Sequence, residues 1–129
     1  MKIRKVNIQD IEKLKEIGKL TFAETFSSEN SEEDMREYLE EGFSTEKLKT
    51  ELTDKNTEFF FAELDDKVVG YLKVNFGQSQ TEIKDENALE IERIYVLKEF
   101  HGKKVGQVLL KSASSLKGHF FFNFFSILD

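Results

Sequence analysis

The spacing of apolar residues changes period several times along the chain, and each change marks a new element. Residues 1–7 set Ile3 and Val6 among basic residues and predict a short strand. From Asn7 the period becomes helical. Ile8, Ile11, Leu14, Ile17, Phe22 and Phe26 fall on one face, predicting a helix to about Thr25, with Asn7 and Asp10 as an approximate capping box and Gly18 as a local weakness. Residues 27–30 are a polar break. Ser31 with Asp34 caps a second, short helix whose buried stripe is Met35, Tyr38 and Leu39 and which ends near Gly42. Ser44 or Thr45 caps a third, turned inward at Leu48 and Leu52.

The second half is built differently. Residues 58–64 contain Phe59, Phe60, Phe61 and Ala62, too apolar for a strand wetted on one face, so both faces are predicted to be covered. Asp65-Asp66 turns the chain and residues 68–76 return as the partner strand, where Gly70 marks a bulge or a close backbone approach. Residues 78–87 are polar and predict a mobile loop. Leu89, Ile91 and Arg93 then alternate with Glu90, Glu92 and Ile94 as another strand. Residues 99–102 break that pattern, and Val105, Val108, Leu109 and Ala113 restart helical spacing to about Leu116, with Lys117-Gly118 as the stop. Five of the last eleven residues are Phe. That stretch predicts a parallel strand completing a β-α-β crossover, and an edge open to strand exchange if it stays unpaired. Helices beside a mostly antiparallel sheet make the fold α+β, in a single domain over residues 1–129.

Composition narrows the chemistry. The chain has no cysteine, which removes disulfides, thiolate nucleophiles and Cys-based zinc sites together. Its two histidines, His101 and His119, have no partners at ligand spacing, so no metal is expected. No apolar run reaches the length of a membrane span, and residues 1–5 lead into a strand rather than a signal-peptide core. A cytoplasmic protein with no membrane partner is expected. The net charge of −6 argues against nucleic acid. Glu24, Glu29, Glu32, Glu33, Asp34, Glu37, Glu40 and Glu41 face only Arg36 in the same stretch, a cluster that suits a small cationic amine. The competing reading is a solvated helix face with acids near helix N-termini.

Residues 89–110 carry the strongest chemical signal. A strand that feeds a glycine-bearing loop and then a helix gathers unpaired N–H groups and the positive end of the helix dipole at one point, which suits phosphate. The P-loop pattern fails because Gln107 stands where lysine is needed, and the dinucleotide fingerprint fails because only Gly102 and Gly106 are present. His101-Gly102-Lys103-Lys104-Val105-Gly106 instead resembles the acetyl-CoA loop of the GNAT superfamily of N-acetyltransferases, Gln/Arg-x-x-Gly-x-Gly/Ala. It departs from that pattern at His101 and at Lys104, where a positive φ would cost lysine roughly 1 kcal/mol. Residues 21–26, reading Thr-Phe-Ala-Glu-Thr-Phe, with Asn30, Glu33, Asp34, Met35, Tyr38, Leu39, Phe43 and Leu48, resemble the helical cap of the PaiA-type branch, which acetylates spermidine, spermine and similar amines.

The resemblance implies acetyl transfer from acetyl-CoA to a primary amine, a polyamine or similar small cation, by direct attack on the thioester. It implies a cofactor site made by a bulged strand around Ile94, Tyr95 and Val96 and by the loop of His101, Gly102, Lys103, Lys104, Val105, Gly106 and Gln107. Phe22, Glu24, Phe26 and Glu33 would meet the amine. An ammonium must lose a proton before it attacks, and Glu92, beside the expected acetyl position, is the first choice of base, with Glu90 as the alternative. Glu92 can also be read as an acid paired with Arg93 or with a lysine across the sheet. The backbone N–H of Ile94 or Tyr95 is the expected oxyanion donor, and Tyr95 is also a candidate for the core. Relatives continue past the fifth strand with a helix and two strands carrying an Asn that touches the cofactor arm and a Tyr that protonates the thiolate. The fold is therefore read as GNAT-like and lacking that C-terminal helix and those strands. The alternative function is a catalytically inactive truncated remnant, a CoA-binding or interaction module that forms a homodimer through the Phe-rich end.

Overall fold

The computed structural model describes residues 1–81, 84–117 and 119–122. Strand β1 (Lys2–Lys5) enters a 3-10 turn at Ile8–Asp10 and then helix α1 (Ile11–Phe26). The capping box forms: Asn7 Oδ1 accepts from the Gln9 N–H and Asp10 Oδ2 accepts from the Asn7 N–H, both at 3.0 Å. It opens the 3-10 turn rather than the helix, so Ile8 stays outside the helical face and is 41% exposed. Helices α2 (Glu32–Gly42) and α3 (Thr45–Thr53) follow, capped by Ser31 Oγ on the Asp34 N–H and Ser44 Oγ on the Lys47 N–H. Met35 is buried and Leu39 half-buried, but Tyr38 is 48% exposed. The predicted three-residue stripe on α2 is therefore narrower by one. Gly18 is less a weakness than a fit, since a Cβ there would lie 2.6 Å from the Phe43 ring.

The sheet runs β1, β2 (Thr57–Leu64), β3 (Lys67–Asn75), β4 (Leu89–Val96), β5 (Phe120–Phe122) in spatial order. The first four strands are antiparallel and β5 is parallel to β4. Asp65 and Asp66 close the β2–β3 hairpin with φ of 50° and 64°, the left-handed pair that a two-residue turn between twisted strands requires. Helix α4 (Val105–Leu116) packs Val105, Leu109 and Ala113 on one sheet face against Leu72, Ile91 and Ile94. Helices α1 and α3 pack Leu14, Ile17 and Leu48 on the other face against Phe59, Phe61 and Tyr71. Both faces of β2 are thus covered, as its apolar run demands. The α+β expectation holds, and β5 is the predicted parallel strand. Phe124 and Phe125 lie outside the described residues.

Two irregularities position the site. Pairing passes from Ala62–Gly70 to Glu63–Val68 on one side of β3, and from Lys73–Arg93 to Val74–Ile91 on the other, making Val69 and Glu92 the extra residues of two bulges. The second bulge corrects the strict alternation read for residues 89–94. Leu89, Ile91, Ile94 and Val96 all face the α4 core, while Glu92 and Arg93 both join the polar groups on the α3 side. Within the predicted mobile loop, Gln80, 1% exposed, accepts from the Asp85 N–H at 2.6 Å and donates to the Ala88 carbonyl at 2.8 Å. Residues 82 and 83 lie outside the described residues. Among the described residues no helix is long and apolar enough to cross a membrane.

Candidate active site

The bulge on β4 puts Glu92 into a charged cluster. Glu92 Oε1 accepts from Lys73 Nζ at 2.9 Å and from Asn75 Nδ2 at 2.8 Å, and Arg93 Nε lies 3.5 Å from Oε2. Lys73 also pairs with Glu51 of α3 at 3.1 Å, and Arg93 reaches the same Glu51 oxygen at 3.4 Å. Burial pushes the Glu92 carboxyl up, but the charges of Lys73 and Arg93 and the bonds from Asn75 and Lys73 outweigh it and hold the group below the usual carboxylate range. Glu90, the alternative base, is fully buried. It accepts from Asn75 Nδ2 at 2.7 Å, the Thr81 N–H at 3.0 Å and Thr81 Oγ1 at 2.6 Å.

Farther along β4 the bulge expected around Ile94, Tyr95 and Val96 is absent. Regular pairing runs from Lys73–Arg93 to Gly70–Val96, because the extra residue has already been accommodated at Glu92. Tyr95 stacks on Tyr71 with centroids 5.8 Å apart, and Tyr71 stacks in turn on Phe59 at 6.5 Å. Burial raises both tyrosine hydroxyls above their ordinary value. The Leu97 N–H donates to the Val69 carbonyl at 2.9 Å, and strand alternation directs the Tyr95 backbone groups toward β3 as well. Those of Ile94 and Val96 point to the opposite edge. Among the described residues β5 pairs with β4 at Leu89–Ile91, short of Ile94. Of the two expected oxyanion donors, the Ile94 N–H is the one directed away from β3.

The loop after β4 ends in a tight turn. His101 Nε2–H donates to the Val96 carbonyl at 2.8 Å and ties the loop to the strand end. Gly102 has φ 83° and Lys104 φ 64°, both in the left-handed region. Lys104 is the residue before α4, no side chain caps the helix, and the first helical bond runs from the Val108 N–H to the Lys104 carbonyl at 3.1 Å. The amides of Val105, Gly106 and Gln107 therefore come before the helical ladder begins, with Lys103 and Lys104 exposed beside them. That geometry fits a diphosphate.

On the far side, α1 and α2 bring Phe22, Phe26 and Tyr38 together, with Phe22 centroids 4.6 Å from Phe26 and 6.5 Å from Tyr38. Glu24 does not point at them. Its Oε1 accepts the Lys98 N–H at 3.0 Å, and it borders a cleft of about 410 Å³ with Glu16, Leu20, Asp66, Val68 and Glu99. Glu33 is exposed in the first turn of α2. The acidic stretch is thus mostly a solvated helix face, while Phe22 and Phe26, two of the residues expected to meet the amine, lie together beside Tyr38.

A strand end that leads into an uncapped, lysine-flanked helix start can hold a diphosphate at the helix N-terminus. The comparisons agree. Residues 16–116 match the acetyltransferase (GNAT) family, and the chain belongs to it. It is 39% identical over 113 residues to an uncharacterized N-acetyltransferase in the pepI 3′ region of Lactobacillus delbrueckii subsp. lactis, a match covering 88% of this chain and 65% of that relative. It is 28% identical over 120 residues to the spermidine N(1)-acetyltransferase of Thermoplasma acidophilum, covering 90% and 70%. The crystal structure of the PaiA N-acetyltransferase from Thermoplasma acidophilum in complex with coenzyme A superposes with a TM-score of 0.74, over 89% of this chain and 70% of that one. The chain thus spans about two-thirds of the length of these relatives.

The pairing of Glu92 with Arg93 or with a lysine across the sheet, the competing reading of that acid, is present, and the lysine is Lys73. Asn75 and Glu51 were not among the residues picked out by sequence. The signal for Asn75 is there: with Lys73 it interrupts the otherwise apolar residues 68–76, and neither belongs in a strand covered on both faces unless it has a buried partner.

Proposed function

We propose that the chain is an acetyl-CoA-dependent N-acetyltransferase acting on a primary amine of a small cation, of the polyamine type, by direct attack on the thioester. The observation that carries this reading is the turn at residues 102–107, where left-handed Gly102 and Lys104 set the first amides of α4, which precede the helical ladder, just past the end of β4. Acetyl-CoA supplies the activated acetyl group. His101, Gly102, Lys103, Lys104, Val105, Gly106 and Gln107 form the diphosphate site, the amides acting by hydrogen bonds and the lysines by charge. The backbone groups of Ile94 and the Val96 N–H are on the side of the acyl arm, the Val96 carbonyl being held by His101, and the Ile94 N–H fits the oxygen that gains charge. Tyr95 supports the strand from the opposite face.

Glu92 remains ionised at neutral pH and is correspondingly a weak base. It suits anchoring an ammonium and passing its proton to solvent through water better than direct abstraction. Phe22 and Phe26, with Tyr38, offer aromatic faces to a cation, and Glu24 and Glu33 add negative charge nearby. The spermidine acetyltransferase among the relatives supports the polyamine class. A cysteine-free sequence and a CoA-dependent reaction suit the cytoplasm.

Calorimetric titration with acetyl-CoA tests the site. Asparagine tolerates a left-handed φ, so Gly102→Asn is expected to bind within a few-fold of wild type, whereas Gly102→Asp sets a carboxylate on the diphosphate and weakens binding at least tenfold. No heat from wild type at millimolar ligand overturns the enzyme reading. For the base, spermidine acetylation by Glu92→Gln is expected to drop at neutral pH and recover in part at high pH. An unchanged profile removes Glu92 from that role.

A further inference from the structure

Asn75 stands at the centre of a buried hydrogen-bond chain that crosses three strands. It is 1% exposed, sits opposite Thr57 on β2 and Glu90 on β4, and its Nδ2 contacts Glu90 Oε1 and Glu92 Oε1 at 2.7 and 2.8 Å. The Asn75 NH₂ donates to both glutamates. Its oxygen then faces Thr57, and the single Thr57 hydroxyl proton goes to Asn75 Oδ1 at 3.0 Å rather than to Asp54 Oδ2 at 3.4 Å. The Asn75 amide and the Thr57 hydroxyl are thereby oriented together.

A fully buried Glu90 is a costly element in a strand that an apolar residue would fill as well or better. Packing does not explain it. We propose that Asn75 is a positioning residue, its amide joining Glu90 and Glu92 into one oriented unit so that Glu92 is held fixed at the bulge where the amine is to be met. This rests on the reading of Glu92 given above. Glu90 is anchored in turn by both polar groups of Thr81, so the unit is fixed from the loop on one side and from β2 on the other. The charged groups that face Glu92 are Lys73 on β3, Arg93 beside it on β4, Glu51 of α3 behind Lys73, and Glu90 across the Asn75 amide. Asn75 is the neutral member that bonds both glutamates of β4.

The test is a carbon-detected NMR titration of the side-chain carboxyl of Glu92, assigned with Glu92→Gln, read beside the pH profile of kcat/KM. Asn75→Asp replaces the shared NH₂ by a third acid, and the Glu92 midpoint is expected to rise by about one pH unit or more. The acidic limb of the rate is expected to move with it, while KM for acetyl-CoA stays within twofold. Thr57→Val, which removes only the hydroxyl, is expected to move the midpoint in the same direction by less, and serves if Asn75→Asp does not fold. A Glu92 midpoint unchanged in a folded variant overturns the proposal whatever the activity does. A midpoint that moves while the rate profile stays fixed supports the link through Asn75 and instead overturns Glu92 as the group that handles the amine proton.

Discussion

Gly70 approaches Tyr95 across the β3–β4 ladder so closely that a Cβ on Gly70 would lie 2.7 Å from the Tyr95 carbonyl oxygen. The obstacle is backbone, which cannot swing aside as a side chain can. Gly70→Ala is therefore expected to destabilise the fold by about 1–3 kcal/mol, as overpacking of a close-packed interior does. Urea denaturation checks it, and a variant as stable as wild type would mean that the strands separate at little cost. The same displacement would move β4 beside Ile94, so the affinity for acetyl-CoA is expected to fall with the stability.

Lys73 is the buried cation that two half-buried acids share. Lys73→Met leaves Arg93 as the cation beside Glu51 and Glu92, and breaking a buried pair from one side costs about 3–5 kcal/mol. The sign of the pH dependence follows from Glu92. Its folded carboxyl lies below the ordinary value of 4.5, so its contribution is present above that pH and is lost as pH falls through the folded value. The gap between wild type and Lys73→Met is expected to be full at pH 7 and to narrow below pH about 4.5. A gap that is constant from pH 7 to 3 would assign the loss to packing of the lysine stem.

Asp10 gives a second acid-sensitive joint, at the entry to α1. Arg4 Nη1 donates to Asp10 Oδ2 at 2.8 Å and Nη2 to Oδ1 at 3.0 Å, while the Asn7 N–H reaches Oδ2. The Arg4 bonds above all hold the Asp10 carboxyl below its ordinary 3.8, against a smaller upward push from burial. Asp10→Asn is expected to cost about 1.5–3 kcal/mol at pH 7, the range for hydrogen bonds to charged groups. Because the folded value is lowered, this loss should be complete above pH 3.8 and fade as pH drops further. Paired denaturation curves at pH 7 and pH 3 decide it.

Elements were legible wherever one periodic face met one core. The Asn7, Ser31 and Ser44 caps, the Asp65-Asp66 turn and the strand-to-helix turn at Gly102 could all be read because each depends on residues within a few positions of one another. The bulge at Glu92 was not legible in that way. It is set by the pairing of Lys73 with Arg93 and Val74 with Ile91, and no local pattern on β4 shows that Ile94 must skip a place to stay on the α4 side. Glu92 could be read as the partner of Arg93 or of a lysine across the sheet, but that the lysine is Lys73 and that Glu51 joins it were hidden, since these residues meet only after α3, β3 and β4 have assembled. Gln80 is the converse case, a polar residue whose burial follows from a loop folding back on itself.

Lys104 couples the stability of the phosphate turn to its charge, and the two can be separated. Its φ of 64° costs an L-residue roughly 1–2 kcal/mol, while glycine gives back about 0.5–1 kcal/mol through its greater freedom when unfolded. Lys104→Gly is therefore expected to be as stable as wild type or up to about 1 kcal/mol more stable. It also removes one exposed positive charge beside the amides of α4. Affinity for acetyl-CoA is expected to fall a few-fold at low ionic strength, and the difference from wild type should shrink toward 1 M salt, where the screening length drops to about 3 Å. Thermal unfolding and calorimetry on the same samples check both halves. A Lys104→Gly protein that is markedly less stable would show the lysine side chain to be part of the turn, and an affinity loss that persists in high salt would place its role in shape rather than charge.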